Sequence, residues 1–207
     1  MYGAHVTETD FSWVQHEPQF RLYLFDGPDN RTTVMDIFKT SVEDVLQSAE
    51  VLSEHDARLW SLALVSTDSN GDFGLTWLSG MDYNEVPCNA HEWKLHSEMQ
   101  SRYLMARSQA GESVVLPNGL RCIRMFAEWV DSCPLWESFT DNYPLQQGSL
   151  PISDELWNEL VKWNREYRNR DEDEPVPDER GWLARGTELH NRLQNELVGV
   201  AEVVPEF

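Results

Sequence analysis

Apolar positions recur along most of the chain with short, readable periods. Phe20-Arg21-Leu22-Tyr23-Leu24-Phe25 has strand composition and stops at Asp26-Gly27-Pro28-Asp29-Asn30, a dense turn signal. From Val34 to Leu52 the apolar residues Val34, Ile37, Phe38, Val42, Val45, Leu46, Ala49 and Leu52 follow helical spacing. That spacing predicts one helix, and Ser41-Val42-Glu43-Asp44 offers a capping start for at least its second half. Leu59–Val65 and Gly74–Leu78 are strand-length apolar runs separated by turn formers, which predicts a β-hairpin with a long tip. The tip residues Asp68, Asn70 and Asp72 alternate like the start of a calcium loop, but glycine stands at the wrong place and the closing Glu is missing.

Glu92–Ser108 carries Trp93, Leu95, Met99, Tyr103 and Leu104 among good helix formers, and Gly111 ends that helix. Val114-Val115-Leu116 and Leu120–Phe126 flank Pro117-Asn118-Gly119, whose Asn-Gly predicts a second hairpin. Residues 1–19 hold Phe11, Trp13 and Val14 without clear period and read as an arm whose aromatics pack on the body.

Beyond residue 140 the pattern becomes helical. Ser153 precedes Asp154 and Glu155, so a capping hydroxyl and two acids sit at the positive end of a helix dipole. Leu156, Leu160, Trp163 and Tyr167, joined by Trp157 and Val161, form one apolar stripe that must pack on something. The acidic segment Asp171-Glu172-Asp173-Glu174, followed by Pro175 and Pro177, reads as a solvated loop. A final helix over about 179–198, stopped by Gly199, leads into an edge strand at 200–204. The predicted fold class is α+β: two hairpins and an N-terminal strand packed with helices (1–140), then a helix-loop-helix-strand tail (141–207) packed on that body as one continuous domain.

Charge narrows the function classes. Thirty-six acidic against 16 basic residues give a net −20, spread over both parts of the chain. Such a field repels phosphate backbones and anionic lipid, and it attracts a basic protein. Nucleic acid and membrane are therefore excluded as expected partners, and no apolar run reaches the roughly 20 residues of a membrane span. Cys88, Cys122 and Cys133 are an odd set without paired spacing, and the N-terminus has no apolar leader, which points to a reducing cytoplasm.

Chemistry-bearing motifs are sparse. His91-Glu92-Trp93-Lys94-Leu95-His96 resembles a zinc-protease helix, but its histidines are five apart, which turns the second imidazole by about 140° off the shared face. No nucleophile elbow and no Gly-rich phosphate loop occurs. No metal, cofactor or catalytic residue is therefore assigned from sequence. Of the tryptophans Trp129, Trp136, Trp157, Trp163 and Trp182, most belong in a core. Trp136, read in a loop beside Glu137, is the expected exposed exception, since an aromatic beside acids suits an interface hot spot. Trp136, Glu137, Asp171, Glu172, Asp173 and Glu174 are thus the candidate binding residues.

The runs Arg58–Val65, Gly80–Asn84 and Leu135-Trp136-Glu137-Ser138, then Leu150-Pro151-Ile152-Ser153 and a Leu…Trp…Tyr helix, resemble uncharacterised acidic proteins of high-GC Gram-positive bacteria. The tail carries the likeness best, at Leu135, Trp136, Leu150–Ser153, Trp163, Gly186, Leu189 and Val203. The resemblance implies a cytoplasmic bacterial protein, some relatives serving as immunity or inhibitor proteins, and carries over no catalytic residue. Three readings follow: an immunity- or inhibitor-type module for a basic protein, a small hydrolase or transferase using scattered carboxylates with His91 or His96, and a structural homo-oligomer component.

Overall fold

A computed structural model describes residues 17–68, 70–171 and 173–207. The arm residues Phe11, Trp13 and Val14 and the acidic-loop residue Glu172 lie outside the described residues. The fold is α+β, with seven strands in two sheets and four helices among the described residues.

The first sheet has the order β2-β1-β3-β4 and is antiparallel throughout: β1 is Gln19–Asp26, β2 Arg31–Phe38, β3 Leu59–Thr67 and β4 Phe73–Ser79. Its two central strands are buried on both faces. On one side Phe20, Leu22, Leu24, Trp60 and Leu62 pack with Val45 and Ala49 of α1 (Val42–Leu52). On the other, Phe25 and Leu59 pack with Met99, Tyr103 and Leu104 of α2 (Ala90–Gln109).

The structure corrects the helix expected from Val34: residues 31–38 are strand β2, and the helix begins at the Ser41 cap, whose hydroxyl accepts from the Asp44 amide. Three features override the apolar spacing. The tight turn with Gly27 and Asn30 at positive φ sends the chain straight back along β1. Thr32, Thr33, Val34 and Ile37 are β-branched. Arg21 and Asp36 stand directly opposite in register and form a two-pronged ion pair at 2.6 and 2.9 Å.

The second sheet has the order β6-β5-β7, with β5 at Arg121–Met125, β6 at Leu135–Trp136 and β7 at Ala201–Pro205. Here too an expectation is corrected. Asn118-Gly119 does make a tight turn, closed by the Leu116 and Gly119 amides, but 114–116 form no strand. Instead β5 pairs in parallel with β7, Arg121 opposite Ala201 through Met125 opposite Pro205, and antiparallel with β6. A parallel partner requires a long crossover, and α3 (Asp154–Arg168) and α4 (Glu179–Glu196) supply it. Ser153 caps α3 as its sequence predicts, accepting from the Leu156 amide.

The core under that crossover is aromatic. Trp163 and Trp182 stack with ring centres 4.4 Å apart, and each indole N–H donates to the other residue's carbonyl, at 3.0 and 3.2 Å. Phe207 meets the Trp163 ring edge-on. Gly186 of α4 sits against both: a Cβ there would lie 2.7 Å from the Phe207 ring and 2.9 Å from that of Trp163. The outer edge of β7 is closed by α4 side chains. Gln194 accepts from the Val203 amide and donates to the Ala201 carbonyl, and the Nε2–H of His190 donates to the Val203 carbonyl. These bonds occupy the outward Ala201 carbonyl and the Val203 amide and carbonyl, which would otherwise be open to another strand.

In an exposed helix, Gly→Ala adds about 1 kcal/mol of stability through helix propensity. Gly186→Ala is expected to reverse that sign, because the methyl group must displace Phe207 or Trp163; a lower urea midpoint with unchanged slope is the predicted readout.

Candidate functional site

The structure buries the residues expected as an exposed anchor. Trp136 lies in β6, only 6% exposed, stacked on Phe126 at 5.1 Å, and does not stand in a loop. Glu137 is 7% exposed and holds the Arg121 guanidinium with both oxygens, at 2.7 and 2.8 Å. Asn142 and Pro144 follow close behind in the sequence. The chain does turn there, yet the turn folds back so that Tyr143 and Leu145 cover Trp136 and extend its pairing. Asp171, Asp173 and Glu174 are exposed, as a solvated acidic loop requires. They lie at the far end of α3 and are not brought together with Trp136 or Glu137.

A different group of residues converges where α2, the loop 80–89, α4 and β7 meet. They line a cleft of about 790 Å³ whose floor holds Tyr83, His96 and Glu202 and whose walls include Trp93, Leu183 and Phe207. The histidine motif was the chemical signal from this region in sequence, and it could not point to Glu202, which lies 106 residues beyond His96. His91 is exposed, whereas His96 points inward and is 5% exposed. The five-residue offset thus separates the two imidazoles, as helix geometry dictates.

Gln100, one helical turn after His96, organises the floor. Its amide nitrogen donates to Glu202 Oε1 at 2.6 Å and to the Tyr83 hydroxyl oxygen at 2.9 Å, and its carbonyl accepts from the Cys122 thiol at 3.3 Å. One side chain of α2 therefore ties together the loop, β5 and β7. The His96 ring stacks flat on Tyr83, 4.3 Å between centres, and Trp93 stands edge-on to both His96 and His190. His96 Nδ1 faces Glu202 Oε1 at 3.5 Å without the alignment of a hydrogen bond, and it is buried with no hydrogen-bond partner.

Burial governs the protonation of this floor. Loss of water pushes the His96 imidazole down to about 4, so it is neutral at physiological pH. Burial likewise raises Glu202, against the opposing hydrogen bond from Gln100. Tyr83 is raised for the same reason, with the Glu202 charge adding to it. The thiols are held in their unreactive form: burial raises Cys122 strongly and Cys133 to about 12, while a hydrogen bond with Glu92 raises the exposed Cys88. Among the described residues no group of three or more His, Cys, Asp or Glu side chains is placed to hold a metal ion, and no helix is long and apolar enough to cross a membrane.

With this geometry in hand, the comparison with known families is informative. Residues 121–204 match the family model described as Serratia CdiI immunity protein-like. The matched span runs from the start of β5 into β7, so it contains the crossover, the tryptophan pair and Glu202. It also takes in most of the last third of the chain, which carries the sequence resemblance best. No curated protein and no solved structure matches the chain.

The His96 environment makes a testable statement about acid stability. Its folded pKa lies below the usual 6.5, so folding excludes a proton, and this contribution is complete above about pH 6.5 and lost as pH falls toward 4. The full loss is on the order of 3 kcal/mol. Glu202, raised by burial, acts in the opposite sense and offsets part of it. The direct measurement is the His96 ring proton shift by NMR, which should titrate near pH 4 in the folded chain and near 6.5 in urea.

Proposed function

We propose that this chain is an immunity- or inhibitor-type protein that acts in the cytoplasm by binding a basic protein partner such as a toxin. The observation that carries this reading is the match of residues 121–204 to the immunity-protein-like family, over a region that forms one continuous piece of the fold. The net charge of −20 supports the basic partner, because an opposite field speeds encounter and disfavours wrong partners. The exposed residues Asp171, Asp173 and Glu174, with Glu172 beside them in sequence, are the proposed steering group.

The cleft gives the hydrolase or transferase reading a specific observation, a concave site with shifted groups. Its chemistry favours recognition: an imidazole pushed down to about 4 is a weak base, and the nearby thiols are held protonated. Binding is therefore the preferred role for the cleft as well.

Capture from the native cytoplasm at low salt should retrieve a basic protein. Replacing Asp171, Glu172, Asp173 and Glu174 with Lys should slow association with it by about tenfold or more and flatten its salt dependence, with dissociation little changed. Retrieval of no basic protein, or equal association rates for the two forms, contradicts the proposal.

A further inference from the structure

The three acids of the second sheet and its flanks, Glu137, Glu202 and Glu206, are all drawn out of full solvent contact, but their counter-charges differ. Glu137 is gripped by Arg121, and Glu206 by Arg124 at 2.9 and 2.5 Å. Glu202 has no Lys or Arg within ion-pair distance among the described residues. It receives one amide hydrogen bond from Gln100 on Oε1, faces the neutral His96, and leaves Oε2 without a hydrogen bond among the described residues.

A carboxylate half removed from water without a cation is costly, and the cost is relieved when a cation arrives. The cleft above it is shaped for one. No Lys or Arg lines it, Glu85 adds a second acid, and aromatic rings stand around the floor, with Tyr83 under His96 and Trp93 at the side. Aromatic faces attract cations most strongly where water is excluded. The buried Nδ1 of His96, unpartnered and beside Glu202, adds an independent sign of an unfilled polar site.

We infer that the cleft receives a cationic side chain of the protein partner, a guanidinium or ammonium group, with Glu202 as its counter-charge, the stacked Tyr83 and His96 rings in the floor beneath it and Trp93 at its side. This rests on the immunity-type reading and adds a specific point of contact. The acidic loop governs the rate of approach, whereas the cleft holds one residue once the surfaces meet. A side chain inserted from a partner suits the size: clefts of 300–1,000 Å³ accommodate groups larger than a single guanidinium, so the flanking backbone of the partner enters too.

The test uses the full chain and two small probes, N-acetyl-arginine methylamide and its citrulline counterpart, which keeps the shape and removes the charge. The arginine probe should shift the His96 and Tyr83 ring resonances in a saturable way, and the citrulline probe should bind about tenfold more weakly. Glu202→Gln keeps an acceptor for Gln100 and should abolish that preference, with an otherwise unchanged amide spectrum to establish that the fold is intact. Equal binding of the two probes, or an arginine preference unchanged in Glu202→Gln, overturns the inference. Because the probes need no partner, a wild type that captures a basic protein but ignores the arginine probe sinks the cleft and leaves the immunity reading standing.

Discussion

The parallel pairing of β7 with β5 is the constraint on which the rest of this structure depends. A strand near residue 123 cannot meet a parallel partner near residue 203 unless the intervening chain crosses over, and that crossover is α3 and α4. Closing it stacks Trp163 on Trp182, places Phe207 against both, and presents Glu202 to Gln100 of α2. Core and cleft are thus two consequences of one ladder. The seal that His190 and Gln194 place on the outer edge of β7 lets so short a strand end the sheet without inviting another chain.

Polar contacts fix the register of this assembly more than they add to its stability. The join between α2 and the second sheet is unusually polar: Ser97 donates to Glu206, Arg124 grips the same carboxylate, and Gln100 bonds to Glu202, Tyr83 and Cys122. Paired charges of this kind gain little over an apolar core but are expensive to break, so they penalise alternative placements of the helix. Against that background Glu202, lacking a cation, stands out. In a chain of net charge −20 most carboxylates are solvated and say nothing about function, whereas this one is shielded, half satisfied and exposed to a cleft.

Local signals in the sequence were reliable where the structure is local. The β1 run, the hairpin of β3 and β4, the caps at Ser41 and Ser153 and the stop at Gly199 are set by neighbours within a few residues, and all are found. Reading failed where distant pairing decides. Val34–Phe38 has helical spacing but is captured by β1, and the Asn118-Gly119 turn forms without its hairpin because β5 has partners elsewhere. Trp136 looked exposed because its cover comes from Phe126, before it in the chain, and from Tyr143, in the turn after it. The cleft was illegible for the same reason: of Tyr83, His96, Gln100, Cys122 and Glu202 only His96 and Gln100 share a helical spacing, and the fold alone brings the others to them.

Native-state hydrogen exchange tests the governing ladder most directly. If the parallel pairing integrates the molecule, the β5 and β7 amides, that of Val203 bonded to Gln194 among them, should exchange together with those of α3 and α4 at the free energy of global unfolding. Exchange of the β7 amides through a far cheaper local opening, while β1 and β3 stay protected, would contradict the account.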